Sequence, residues 1–117
     1  MVLPAEVIAV SSHEPSYDDP IFVRNGDQLE TIARDNAWPG WIWCRHSDGR
    51  SGWVPETILQ AISTGALALE DYSARELRLK IGERVRLLKT ESGWGWCRAA
   101  SGEEGWVPLG ALSSETT

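Results

Sequence analysis

Apolar and polar positions alternate in short runs along this chain, and the runs come twice. Val85 and Leu87 are interleaved with Arg84 and Arg86, the period-two signature of a strand with one face on a core. Leu29 holds the corresponding place earlier in the chain. Ser47-Asp48-Gly49 and Ser101-Gly102-Glu103 supply turn chemistry between such runs and mark hairpins. Trp41-Ile42-Trp43-Cys44-Arg45 returns 53 residues later as Trp94-Gly95-Trp96-Cys97-Arg98, and Gly52-Trp53-Val54-Pro55 returns at the same separation as Gly105-Trp106-Val107-Pro108. Upstream, Asn25-Gly26-Asp27 answers Ile81-Gly82-Glu83 at an offset of 56, and Ile8-Ala9-Val10 answers Leu67-Ala68-Leu69 at 59. The first copy therefore carries two insertions, which belong in loops.

A repeat of this kind bears on architecture before any single residue does. The pattern predicts an all-β protein of two small barrels, each closed by its own strands. Residues 5–60 form the first, residues 66–117 the second, and residues 61–65 a short linker. Domains of roughly 55–65 residues do fold alone, but with little core to spare. Seven tryptophans against one phenylalanine fit that limit, because each large ring buries about 150–250 Å². Such rings are rarely buried completely, so several are expected to lie partly at a surface.

Charge narrows the partners. Seventeen acidic against eleven basic residues give a formal net charge of −6, which repels a phosphate backbone or an anionic bilayer and argues against nucleic acid and membrane. The opening Met1-Val2-Leu3-Pro4-Ala5-Glu6 lacks the basic start and apolar run of a secretory signal. No stretch approaches the roughly 20 apolar residues that span a bilayer. The expectation is a cytoplasmic protein.

Catalytic chemistry finds no foothold. Cys44 and Cys97 occupy one point of the repeat and are too few for a disulfide framework or a metal cage, so they read as small core hydrophobes. His13 and His46 have no third ligand at a recognisable spacing, and His46, beside Ser47-Asp48, is expected to be solvated. Asp18-Asp19 reads as an exposed charged loop, since the spaced acids of a calcium loop are absent. Neither a nucleophile elbow nor a phosphate-binding glycine loop is present. The expectation is a protein with no catalytic residues, no metal and no cofactor.

Four fragments carry a family resemblance. In order, Ala68-Leu69-Glu70-Asp71-Tyr72, Leu79-Lys80-Ile81-Gly82-Glu83, Trp94 and Gly105-Trp106-Val107-Pro108 resemble the Src-homology-3 (SH3) domain. They answer to its Ala-Leu-Tyr-Asp-Tyr opening, its diverging turn after the RT loop, its ligand-contacting tryptophan, and the motif before its 3₁₀ turn. The first copy keeps the later half of the pattern. Ser11-Ser12-His13 stands in the Tyr-Asp-Tyr place, a longer RT-like loop runs through Glu14 to Pro20, and Trp38-Pro39-Gly40 is inserted before Trp41. The whole chain resembles bacterial proteins built from two variant SH3 domains.

The resemblance implies a groove for a protein or peptide ligand in the polyproline II conformation, which is preformed and so loses little entropy on binding. Carried over to this sequence, the second copy supplies Tyr72, Trp94, Trp106 and Pro108 as one exposed surface. Glu76 stands at its edge, where the family's acidic residue pairs with a ligand arginine or lysine. The first copy supplies Trp41, Trp53 and Pro55, with Ser11, His13 and Ile58 in place of the family's tyrosines. Glu70 and Ala111 replace two further tyrosines of the second copy, leaving its proline pockets incomplete. Trp38 is either an added contact or packing for the neighbouring barrel. Two functions remain open. One is a module that recognises a proline-containing or basic segment of a protein partner. The other is an assembly protein whose aromatic faces are buried between barrels or in a homodimer. Exposure of Trp94 and Trp106 separates them.

Overall fold

The computed structural model describes residues 2–16, 19–34 and 39–114. The strands of the first half are β1 (Ala5–Ala9), β2 (Phe22–Val23), β3 (Gln28–Arg34), β4 (Trp41–Arg45), β5 (Ser51–Pro55) and β6 (Leu59–Ile62). Those of the second half are β7 (Gly65–Ala68), β8 (Tyr72–Ser73), β9 (Arg84–Glu91), β10 (Trp94–Ala99), β11 (Glu104–Pro108) and β12 (Leu112–Ser114). One 3₁₀ turn follows β5 at Glu56–Ile58, and another follows β11 at Leu109–Ala111. Among the described residues there is no α-helix. The period-two pattern acts as expected: β9 buries Val85 and Leu87 and leaves Arg84 and Arg86 in water.

The repeats do not close on themselves. The chain divides into two compact units, one made of Met1–Asp18 with Arg75–Thr117, the other of Asp19–Ala74. In the first, the split unit, the sheet order is β11-β10-β9-β1-β12. The opening strand of the first repeat thus sits between two strands of the second, with Val7 opposite Val85 on one side and Ser114 on the other. In the second, the continuous unit, the order is β5-β4-β3-β7-β6, and β2 pairs with β8. Here the opening strand of the second repeat serves the first, with Ala66 opposite Leu29. Barrels of residues 5–60 and 66–117 are therefore corrected to units that exchange their opening strands.

The same hydrogen bonds hold both exchanges. In the split unit the Gly82 N–H donates to the Ala9 carbonyl and the Ala9 N–H to the Glu83 carbonyl, each at 2.8 Å. In the continuous unit Gly26 donates to Ala68 and Ala68 to Asp27, again at 2.8 Å. Each diverging turn thus receives the strand that the other repeat supplies. Ala9 and Ala68 are both buried, and their small side chains let the turn backbone approach. Because the two repeats share this pattern, local sequence suits either pairing. The connection at residues 61–65 is also corrected: β6 and β7 form an antiparallel hairpin, Leu59 opposite Ala68 and Ile62 opposite Gly65, inside the continuous unit. Two strands that pair directly are adjacent elements of one sheet and not a spacer.

The split unit's core gathers Val7 and Ala9 from β1 with Leu77, Leu79, Val85, Leu87, Cys97, Val107 and Ala111. β1 is therefore part of that core as well as of its ladder. Cys44 and Cys97 are both fully buried free thiols, and burial pushes each up to about 11. Asp18 and Trp38, singled out in the sequence, lie outside the described residues.

Three outcomes follow from these contacts. Both thiols should react slowly with a thiol reagent in the native protein and fast in denaturant. Raised from 9.0 to about 11, they favour the folded state fully below pH 9 and lose that contribution as pH rises toward 11. Urea midpoints should accordingly fall across that range, and should fall less in a Cys44→Ala, Cys97→Ala variant. Gly65 has φ +144°, and a Cβ there would collide with the Leu29 carbonyl. Gly65→Ala should therefore destabilise the protein by about 1–3 kcal/mol in a urea titration. An unchanged midpoint would contradict the β3–β7 pairing.

Candidate functional site

The candidate site begins with β10 and β11 of the split unit. Trp94 lies opposite Pro108 and Trp96 opposite Trp106 in the antiparallel ladder, so these four share one face. Cys97 and Val107 point to the other face, into the core. The ring of Trp96 meets Trp106 edge-on, with centroids 5.3 Å apart, and the Lys89 Nζ stands 5.7 Å above the Trp106 ring. Trp94 and Pro108 are half-buried, whereas Trp106 is 4% exposed. Trp106 is thus a floor of the face and not the exposed wall the sequence suggested.

Gly105 sets the position of the acidic residue. A Cβ at this glycine would lie 2.7 Å from the Leu77 nitrogen and 2.8 Å from the Glu76 carbonyl carbon, so only glycine lets residues 75–77 pass so close. The passing segment is tied down: the Trp106 N–H donates to the Arg75 carbonyl at 2.9 Å and the Leu77 N–H to the Trp106 carbonyl at 3.1 Å. Glu76 is thereby held beside the tryptophan face.

The ring that completes this face comes from the other repeat. His13 pairs with Leu79 across a backbone bridge. Its imidazole meets Trp94 edge-on at 5.8 Å, and its Nε2 lies 2.8 Å from Glu76 Oε1. Ser16 adds its hydroxyl at 3.1 Å and its backbone N–H at 3.3 Å to the same carboxylate. The His13 and Glu76 side chains are only 13% and 10% exposed. Glu76 was expected at an open edge, but it is already engaged. The reason is the exchange, which brings residues 13–16 of the first repeat to the second repeat's acid.

Charges around the face are mostly paired. The Trp96 indole N–H donates to Glu104 at 2.9 Å and Arg98 donates at 2.7 Å, together holding the Glu104 carboxyl below the usual carboxylate range. Arg78 binds Glu14 at 2.7 Å, and Arg75 binds Glu103 at 3.4 Å. Among the described residues no group of three or more His, Cys, Asp or Glu could hold a metal ion.

Tyr72 is not part of this face. It belongs to the continuous unit, where it is 8% exposed and its hydroxyl donates to the Trp53 carbonyl at 2.9 Å. There it joins the unit that holds Trp41 and Pro55, which lie opposite each other and are both buried, and the half-buried Trp53. Ile58 is buried as well. The expected grouping of Tyr72 with Trp94, Trp106 and Pro108 is thus corrected, because residues 65–74 complete the continuous unit. His46, expected to be solvated, is part-buried at 2.8 Å from Asp27. Asp27 takes a backbone hydrogen bond from Arg24 as well as the one from His46, and its carboxyl is lowered.

Sequence reasoning missed His13 as a member of the site. Its alignment with the second tyrosine of the opening motif was visible, but the unit it would serve was not.

A family model described as variant SH3 domain matches the chain twice, over residues 7–62 and 67–114. No curated protein matches it. Domains of the SH3 type are, in general, non-catalytic protein-interaction modules. The two matches coincide with the two sequence repeats, exchanged strands included. They cover most of the 117 residues, and the chain belongs to the variant SH3 domain family, as a tandem of two such domains.

Proposed function

We propose that the split unit binds a proline-containing segment of a protein partner, with a basic residue of that segment directed at Glu76. The observation that carries this reading is the contrast between the two units. Trp94 and Pro108 are half-buried neighbours with a carboxylate beside them, whereas the counterparts Trp41 and Pro55 are both buried. A half-exposed tryptophan beside proline offers ring area to a polyproline II ligand without a large ordering cost. The continuous unit then serves as scaffold. Affinity is expected to be modest, on the order of tens of micromolar or roughly −6 kcal/mol, because Ala111 and His13 stand where tyrosine walls would be.

Burial of both Trp41 and Trp106, each 4% exposed, favours a second reading in which the aromatic faces serve packing and assembly. Titration of arginine-containing proline-rich peptides against tryptophan fluorescence separates the two. Under the binding reading the signal saturates, Trp94→Ala weakens binding by about tenfold or more, and Trp53→Ala changes it less than threefold, or about 0.7 kcal/mol. No response from any peptide, with the protein folded by circular dichroism, would reject binding and leave assembly.

A further inference from the structure

The His13–Glu76 contact joins two groups whose charges oppose each other when both are ionised, at the edge of the proposed binding face. This inference rests on the peptide-binding reading and adds a control to it. Three observations lead to it. First, Glu76, an acid held beside the face, is occupied, at 2.8 Å, by the one side-chain type that ordinarily changes charge between pH 5 and 8. Second, both groups are largely shielded, at 13% and 10% exposed, so bulk solvent screens their interaction less than it would a surface pair. Third, the same imidazole touches Trp94, so its charge is felt where a ligand would lie.

We propose that His13 is a specificity-determining residue, whose protonation state decides whether the split unit favours a basic over a neutral proline-containing segment. With the imidazole protonated, Glu76 is neutralised internally, and a ligand arginine meets a carboxylate already balanced by a cation. With the imidazole neutral, the local charge is −1, and a ligand arginine meets a carboxylate whose charge is not balanced. Among the described residues, the other groups near His13 do not reproduce this. Glu14, next to it in the chain, is paired with Arg78, and Ser16 carries no charge. Lys80, next to its bridge partner Leu79, donates its backbone N–H to Glu83, and Glu91 lies across the ladder from Trp94. The sign is therefore set: a basic ligand binds more tightly when the imidazole is neutral, and a neutral ligand is indifferent.

The test uses the full chain and two peptides of one proline-rich sequence, one with arginine and one with citrulline in its place. Dissociation constants are measured by fluorescence at pH 5.5 and pH 8.0, for the native protein, His13→Gln and Glu76→Gln. The arginine peptide should bind native protein about three- to fivefold more tightly at pH 8.0. The citrulline peptide should show no such change, and His13→Gln should show it with neither peptide, whereas Glu76→Gln should bind the arginine peptide more weakly at both pH values. A ligand-free measurement runs beside it. Because imidazolium in contact with indole quenches its emission, native fluorescence should drop between pH 8.0 and 5.5, and His13→Gln should lack that part of the drop. A pH effect that persists in His13→Gln, or is equal for both peptides, would overturn the proposal and leave peptide binding intact. So would the absence of a His13-dependent fluorescence step. If that step is present but neither peptide binds at either pH, the binding reading itself falls, and the proposal with it.

Discussion

Everything in this molecule depends on where each repeat's opening strand is received. The Ala9 and Ala68 backbones dock on the diverging turns at Gly82 and Gly26 through matched pairs of 2.8 Å hydrogen bonds. A strand left without such a partner would expose its N–H and C=O groups along a sheet edge. Val7 would also leave the core it shares with Val85 and Leu87. Filling both receptor positions reciprocally satisfies both sets of groups. It also makes residues 19–74 one continuous unit, which in sequence separates the two segments of the split one.

The exchange decides the composition of each aromatic face. Tyr72 follows β7 into the continuous unit and spends its hydroxyl on Trp53, while His13 follows β1 to Trp94 and Glu76. Neither face is built from one repeat alone. A residue in the first twenty of the chain therefore controls the electrostatics of a site whose tryptophans lie past residue 90. The two units also diverge in character. Trp41 and Pro55 are buried, but the equivalent Trp94 and Pro108 retain accessible surface.

Much of the local fold was legible. The alternation at Val85 and Leu87, the turns at Ser47-Asp48-Gly49 and Ser101-Gly102-Glu103, and the core role of both cysteines follow from period and residue type, which are local properties. The motif Gly105-Trp106-Val107-Pro108 was legible too, although the reason for its glycine appears only when Glu76 and Leu77 are seen to pass over it. Partner choice was not legible. Ala9 and Ala68 present the same small side chain and the same backbone to either turn, so a sequence that repeats well cannot say which copy a strand will join. The grouping of Tyr72 with Trp94, the linker at residues 61–65 and the open position of Glu76 all rested on that choice. They failed together.

Cross-strand NMR contacts distinguish exchanged from self-closed repeats. In an isotopically labelled full-length sample, nuclear Overhauser effects are sought between the backbones of Val7, Ala66, Leu29 and Val85. Strand exchange predicts Val7 with Val85 and Ala66 with Leu29, the registers of the two sheets. Effects from Val7 to Leu29 and from Ala66 to Val85 would mean that each repeat closes on its own strand, and would contradict it.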